Sequence, residues 1–236
     1  MRENYFEGAE KEIFLSSEKV LIEQWNAQTD KLRLNNFFEN NIFLDSIKKL
    51  SNITFETGHE SGMKIYFKDD GRWAIAGLKE GGIDNYQSDT FIENAEEVYP
   101  NNPEAIYKAK LLLATLHFHP NPDLNINPSS EDIQTLINRS KDVHQENSFG
   151  DFNPIEIIMQ IDNNQVIRGL IIQNQLYDEE KIANLMTNLD KCDYSQERIK
   201  EMLVGAGFKV AIIESDNKGN FSKKKLNKLN NFKFNG

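Results

Sequence analysis

The chain has 236 residues, of which 39% are hydrophobic and 27% charged, a balance typical of a globular protein long enough to bury a core. Its formal net charge of -10 argues against a nucleic-acid-binding protein, since phosphate groups are bound by clustered Lys and Arg. The single cysteine, Cys192, excludes an internal disulfide and a zinc site built from several cysteines.

The N-terminal part of the chain is predicted to be helical. Ser16 is typical of a helix start, and the apolar residues between 32 and 50 indicate one or two further helices. Residues 1–50 are therefore predicted to form an N-terminal helical extension. After them, residues 63–67 show the alternation of a strand, and residues 73–76 begin a strand that returns beside it.

The next part of the chain alternates between strands and helices. The apolar run at 111–116 is typical of a buried strand, and a helix is predicted to begin after it at Ser129 or Ser130. Residues 155–161 and 166–172 are both strand-like and are joined by polar residues, so they are predicted to form a hairpin.

Two more helices are predicted to begin at Asp178 and Ser195, before a last strand at 208–213. The tail, residues 216–236, contains six lysines and many asparagines, and much of it is predicted to be mobile. These elements predict an α/β fold whose main domain comprises residues 51–215, between the helical extension and the tail.

Neither a membrane span nor a secretory signal is predicted. The sequence has no apolar run of about 18 residues, which is the length needed to cross a bilayer. Its first residues are too acidic and too weakly apolar for a secretory signal. We therefore predict a cytoplasmic protein or, for an effector module, a domain delivered as part of a longer protein.

The apolar strand ends in His117 and His119, and this pair is the main functional signal in the sequence. Because successive side chains of a strand point to opposite faces, both imidazoles lie on one face. After a loop, Ser129 and Asp132 begin a helix that carries a carboxylate in its first turn. Two imidazoles and one carboxylate can hold Zn²⁺ and leave a fourth position for water. The predicted metal ligands are therefore His117, His119 and Asp132.

Each part of this pattern also has an ordinary structural explanation. Two histidines separated by one residue on a strand are more often surface or core residues than metal ligands. A serine followed three positions later by an acidic residue commonly forms a capping box at a helix start. The combination of both parts, in this order and behind a buried strand, favours the metal site.

This combination resembles the signature of the JAMM (MPN-plus) metalloproteases, whose catalytic module is also called a JAB domain. The family signature is an upstream glutamate, then His-x-His-Pro, then Ser-x-x-Asp. The matching residues here are His117, His119, Pro120, Ser129 and Asp132. The loop between the proline and the serine is longer here than in the family. The resemblance covers residues 54–172 and implies an MPN/JAB-like (cytidine-deaminase-like) fold, in which helices flank a central β-sheet.

The resemblance also implies roles for the residues. The family uses a glutamate near the start of an early strand as general acid/base. Glu60 and Glu56 both precede the strand at 63–67 and have a glycine nearby. Glu60 is the better match because it lies closer to the strand, and Glu56 is the alternative. Ser129 corresponds to the serine that donates a hydrogen bond to the developing oxyanion.

By this resemblance, the chain is predicted to be a zinc-dependent metallopeptidase or isopeptidase, a hydrolase that cleaves an amide bond with a metal-activated water. Its predicted partner is a protein or peptide substrate, such as a ubiquitin-like modifier, and neither a nucleic acid nor a membrane. Two alternatives stay open. One is a JAB-type toxin or effector domain, and the other is a non-catalytic MPN-like scaffold that retains a metal.

Overall fold

The computed structural model describes residues 33–68, 73–81, 109–120, 126–145, 153–174, 179–189 and 194–234. The helix predicted to begin at Ser16 lies outside these residues, as do residues 69–72 between the first two predicted strands. Within them, the strands and helices follow the order that the sequence predicts.

A mixed β-sheet of six strands forms the centre of the described part of the chain. The strands are β1 (Ser61–Lys68), β2 (Trp73–Glu80), β3 (Ala109–His119), β4 (Ile155–Ile161), β5 (Ile167–Asn174) and β6 (Phe208–Glu214). Their order across the sheet is β2-β1-β3-β4-β5-β6. Strands β3 and β4 are parallel, and the other neighbouring pairs are antiparallel.

Helices precede, connect and follow these strands. They are α1 (Leu34–Phe38), α2 (Asn41–Thr57), α3 (Ser130–Gln145), α4 (Glu179–Leu189), α5 (Gln196–Gly205) and α6 (Lys223–Leu226), the last followed by a 3-10 turn at Asn227–Leu229. Helix α3 lies in the crossover from β3 to β4, because parallel neighbours cannot be joined by a tight turn. Among the described helices, none combines the length and apolar character that a bilayer span requires.

The sheet lies between two groups of helices. Helices α1 and α2 and the C-terminal segment (residues 215–234) cover one face and share one apolar core with it. Helices α3, α4 and α5 cover the opposite face and form a second core. The predicted α/β class, with a central sheet flanked by helices, is therefore confirmed.

Helix α2 has clear local signals at both ends. The Asn40 side chain accepts hydrogen bonds from the backbone N–H groups of Ile42 and Phe43, at 2.9 and 3.4 Å. Gly58 ends the helix with a φ of 68°, a conformation that a glycine adopts without strain. The helix passes through residues 50 and 51, where the sequence places a domain boundary, and Leu50 is fully buried in the core that the helix shares with the sheet.

The C-terminal segment packs on the core, so the prediction of a mobile tail is wrong. Leu226, Leu229, Phe232 and Phe234 are all buried. The Phe234 ring packs edge-on against Phe37 of α1, with the ring centroids 5.5 Å apart. The lysines remain on the outside, while the apolar residues between them bury their side chains, and this burial holds the segment in place.

Candidate metal centre

Strand β3 positions two histidines at its carboxyl end. Its even-numbered residues Ala114, Leu116 and Phe118 are fully buried in the core beneath α2. The alternation of the strand therefore directs His117 and His119 to the opposite face, toward α3. Their Nε2 atoms are 3.0 Å apart, so the two rings converge on one point, as the sequence predicts.

The start of α3 positions the carboxylate. The backbone N–H of Asp132 donates to the Ser129 hydroxyl at 3.1 Å, and the backbone N–H of Ser129 donates to Asp132 Oδ2 at 2.8 Å. This reciprocal pair is a capping box, so the ordinary explanation of Ser129 and Asp132 is correct. It does not exclude the metal site, because Asp132 Oδ1 lies 3.4 Å from His117 Nε2.

These three side chains form a group that could hold a metal ion. One ligand atom from each of His117, His119 and Asp132 lies within 4.8 Å of the others. In a tetrahedral zinc site with bonds of about 2.0–2.1 Å, neighbouring ligand atoms are about 3.3 Å apart. The distances of 3.0 Å between the two Nε2 atoms and 3.4 Å from His117 Nε2 to Asp132 Oδ1 are close to this value. His119 Nε2 lies 3.8 Å from Asp132 Oδ2.

Of the two candidate bases, Glu60 lies at the site. The antiparallel register pairs Ser61 of β1 with Phe118 of β3, so Glu60 comes beside His119. The distance from Glu60 Oε1 to His119 Nε2 is 3.9 Å. Glu56 is exposed in the last turn of α2, so the geometry favours Glu60 as the base.

Ser129 is exposed and lies at the rim of the group. Its hydroxyl oxygen accepts the Asp132 N–H, and its own O–H is a donor in addition to that bond. The serine therefore caps the helix and still has a hydroxyl proton that it can donate to another acceptor.

The two histidines differ in charge. Burial by itself lowers the pKa of His117, but the Asp132, Glu156 and Glu60 carboxylates outweigh it and raise the pKa to about 9. Burial, together with the positive charge of His117, lowers the pKa of His119 to about 3. Between these two values the pair carries one proton. A metal ion must displace this proton, since it binds the unprotonated nitrogens.

Glu156 and its partners belong to the site but were not identified from the sequence. Glu156 Oε1 lies 3.2 Å from His117 Nδ1, the ring nitrogen that faces away from His119. Its Oε2 accepts hydrogen bonds from the Thr115 hydroxyl and from the Arg139 guanidinium. Burial by itself raises the pKa of Glu156, but Arg139, His117 and Thr115 outweigh it and lower the pKa to about 2. The carboxylate is therefore charged at neutral pH.

The sequence contained one signal for Glu156. It is an acidic residue inside the apolar strand β4, where every residue is buried, and a buried carboxylate needs partners. The identity of those partners depends on the parallel register, which pairs Thr115 with Glu156 and His117 with Ile158.

Comparison of the chain with protein-family models, with curated proteins and with solved structures finds no match.

Proposed function

We propose that this protein is a zinc-dependent hydrolase of JAMM type, with an MPN/JAB-like fold, that cleaves an amide bond in a protein or peptide. One observation carries the proposal: His117, His119 and Asp132 converge within 4.8 Å, and the Glu60 carboxylate lies 3.9 Å from His119. A metal site with a general base beside it is the arrangement that metal-assisted hydrolysis requires.

Zinc is the metal that best suits these ligands. Two imidazoles and one carboxylate match the ligand sets of catalytic zinc sites, whereas Mg²⁺ and Ca²⁺ prefer oxygen ligands. When bound, zinc lowers the pKa of a water molecule from about 15.7 to about 7 and polarises a carbonyl group. His117 and His119 supply the nitrogen ligands from β3, and Asp132 supplies the oxygen ligand from α3.

Glu60 is the proposed general base and acid. Its side chain is largely buried, and its carboxylate lies 3.9 Å from His119 Nε2, so it is within reach of a water molecule held at the same point. Glu60 accepts the proton of that water during its attack on the carbonyl carbon. The same carboxyl group then returns the proton to the amine that leaves.

Ser129 is the proposed donor to the oxyanion. Its hydroxyl lies at the exposed rim, next to the ligand Asp132, where the carbonyl of a bound substrate can approach. A hydrogen bond that forms as negative charge develops on the carbonyl oxygen stabilises the transition state more than the ground state.

The proposed substrate is an extended peptide segment, such as the C-terminal tail of a ubiquitin-like modifier. The test uses ubiquitin fused through its C-terminus to a reporter peptide, and it measures zinc content and cleavage on the same samples. His119→Ala should lose zinc and activity together. Glu60→Gln should keep zinc and lose activity, because the amide cannot accept the proton.

Glu56→Gln is the matched control, since it makes the same chemical change on an exposed part of α2. It should leave both zinc content and cleavage unchanged. Cleavage by Glu60→Gln at the wild-type rate would contradict the proposed base. A wild-type protein with stoichiometric zinc that does not cleave the fusion would contradict the proposed peptidase.

A non-catalytic metal site is the second candidate, and the position of Asp132 favours it. This ligand lies on α3 whereas both histidines lie on β3, so a bound ion would join a helix to the sheet. Such a bond stabilises the folded state because the unfolded chain lacks the site. Unfolding of the whole chain on chelation, without catalytic turnover, would support this candidate over the hydrolase.

A further inference from the structure

We propose that Glu156 is a positioning residue of this metal centre: it fixes the His117 ring so that Nε2 is available to the ion, and it joins that ring to α3 through Arg139. The inference rests on the proposed metal site and goes beyond it, because it assigns a role to residues that contact no substrate.

The orientation of His117 follows from one contact. Glu156 Oε1 lies 3.2 Å from His117 Nδ1, and a carboxylate accepts hydrogen bonds but does not donate them at neutral pH. The proton of a neutral imidazole is therefore held on Nδ1, which leaves the lone pair on Nε2. Nε2 is the atom that lies 3.0 Å from His119 Nε2 and 3.4 Å from Asp132 Oδ1. Carboxylate–histidine–metal arrangements of this kind orient the ring and make the ligand more basic.

Two further residues hold the carboxylate itself in place. Oε2 accepts the Thr115 hydroxyl and the Arg139 guanidinium, so both carboxylate oxygens have partners. Glu156 is 2% exposed and sits on the face of β4 that α3 covers. A buried carboxylate in that position is costly unless it is paired, and its rotation is blocked by three partners at once.

The network also constrains the third ligand. Arg139 is seven residues after Asp132 on α3, which places both side chains on the same face of the helix. Arg139 binds Glu156 of β4, and Asp132 approaches His117 of β3. The ion pair therefore holds the helix against the sheet at a second point, two turns beyond the ligand.

The test compares Glu156→Gln and Glu156→Asp with wild type. The glutamine has one acceptor oxygen, which cannot serve both His117 and Arg139. The aspartate keeps the charge for Arg139 but is one methylene too short to reach His117 as well. Both variants should bind zinc about 10- to 100-fold more weakly, the usual effect of removing an outer-shell partner of a ligand. Affinity is measured by competition with a chromophoric chelator.

Glu214→Asp is the matched control. It makes the same change in a carboxylate of β6 that pairs with Arg168 and Lys225, and β6 is three strands away from β3 in the sheet. Its zinc affinity should stay within about threefold of wild type, because these ion pairs involve no proposed ligand. The visible spectrum of bound Co²⁺ gives the second readout. It should change in the two Glu156 variants, whose ring orientation is altered, and stay unchanged in Glu214→Asp.

The outcomes separate this inference from the proposed function. If wild type binds neither Zn²⁺ nor Co²⁺, the metal site itself is wrong. If wild type binds both and His119→Ala binds neither, the site stands. In that case, wild-type affinity and an unchanged Co²⁺ spectrum in Glu156→Asp would overturn the positioning role. Equal losses in Glu156→Asp and Glu214→Asp, with unchanged spectra, would likewise show that Glu156 serves only to stabilise the fold.

Discussion

The proton shared by the two histidines makes metal affinity depend on pH in a way that ordinary histidines would not. The pKa of His117 is raised to about 9, so in the metal-free protein this residue is protonated throughout the neutral range. The pKa of His119 is lowered to about 3, so this residue is neutral over the same range. One proton must therefore leave for each divalent ion that binds.

The magnitude follows from this count. When one proton is displaced, affinity changes tenfold for each pH unit, or by about 1.4 kcal/mol. Metal affinity should fall as pH falls, because protons then compete more strongly with the metal for the ring nitrogen of His117. Between about pH 8 and about pH 6 the predicted loss is about 100-fold.

Two histidines with an unperturbed pKa of about 6.5 would behave differently. Their rings would be unprotonated above about pH 7, so competition between protons and the metal for the ring nitrogens would weaken binding only below that pH. A constant slope of the logarithm of metal affinity against pH through the neutral range would therefore indicate the paired geometry. In that geometry the two Nε2 atoms are 3.0 Å apart and a carboxylate lies beside His117.

The assay is chelator competition at each pH, combined with calorimetry in two buffers of different ionisation enthalpy. Calorimetry should give about one proton released per ion near neutral pH. Glu131→Gln, which alters an exposed carboxylate next to Asp132, should keep this profile. A flat affinity above about pH 7, or no proton release, would refute the reasoning.

Two further predictions concern stability, and both are measured by urea unfolding of the metal-free protein. Phe234→Ala should lower the free energy of unfolding by about 3–5 kcal/mol, since the ring is fully buried. A loss below about 1 kcal/mol would mean that the C-terminal segment adds little to the core. Ser129→Ala should cost about 1 kcal/mol, because the Asp132 N–H loses its cap. No change in unfolding would contradict the capping box.

The sequence predicted the local parts of the site correctly. Two positions separated by one residue on a strand must share a face, so the convergence of His117 and His119 followed from their spacing alone. The helix start at Ser129 followed from capping chemistry, which involves atoms only three residues apart. Glu60, just before β1, was chosen as the candidate base from the family resemblance. Its short distance to His119 results from the register of β1 and β3.

The prediction of a mobile tail was wrong because it was based on the many lysines of the segment and not on the apolar residues between them. Six lysines suggest a solvated segment. The apolar residues between them bury against α1 and α2, and that contact joins the two ends of the described chain. Packing between two segments so far apart along the chain cannot be deduced from the composition of either segment.

What the sequence determined by itself is the set of candidate metal ligands, and which of them share a strand face or a helix turn. These properties depend on residues a few positions apart, whose geometry the backbone dictates. The tertiary structure alone decided that Glu156 supports His117 and that Arg139 supports Glu156. Those contacts depend on the parallel pairing of β3 with β4 and on the docking of α3, which are set by the burial of the two apolar cores.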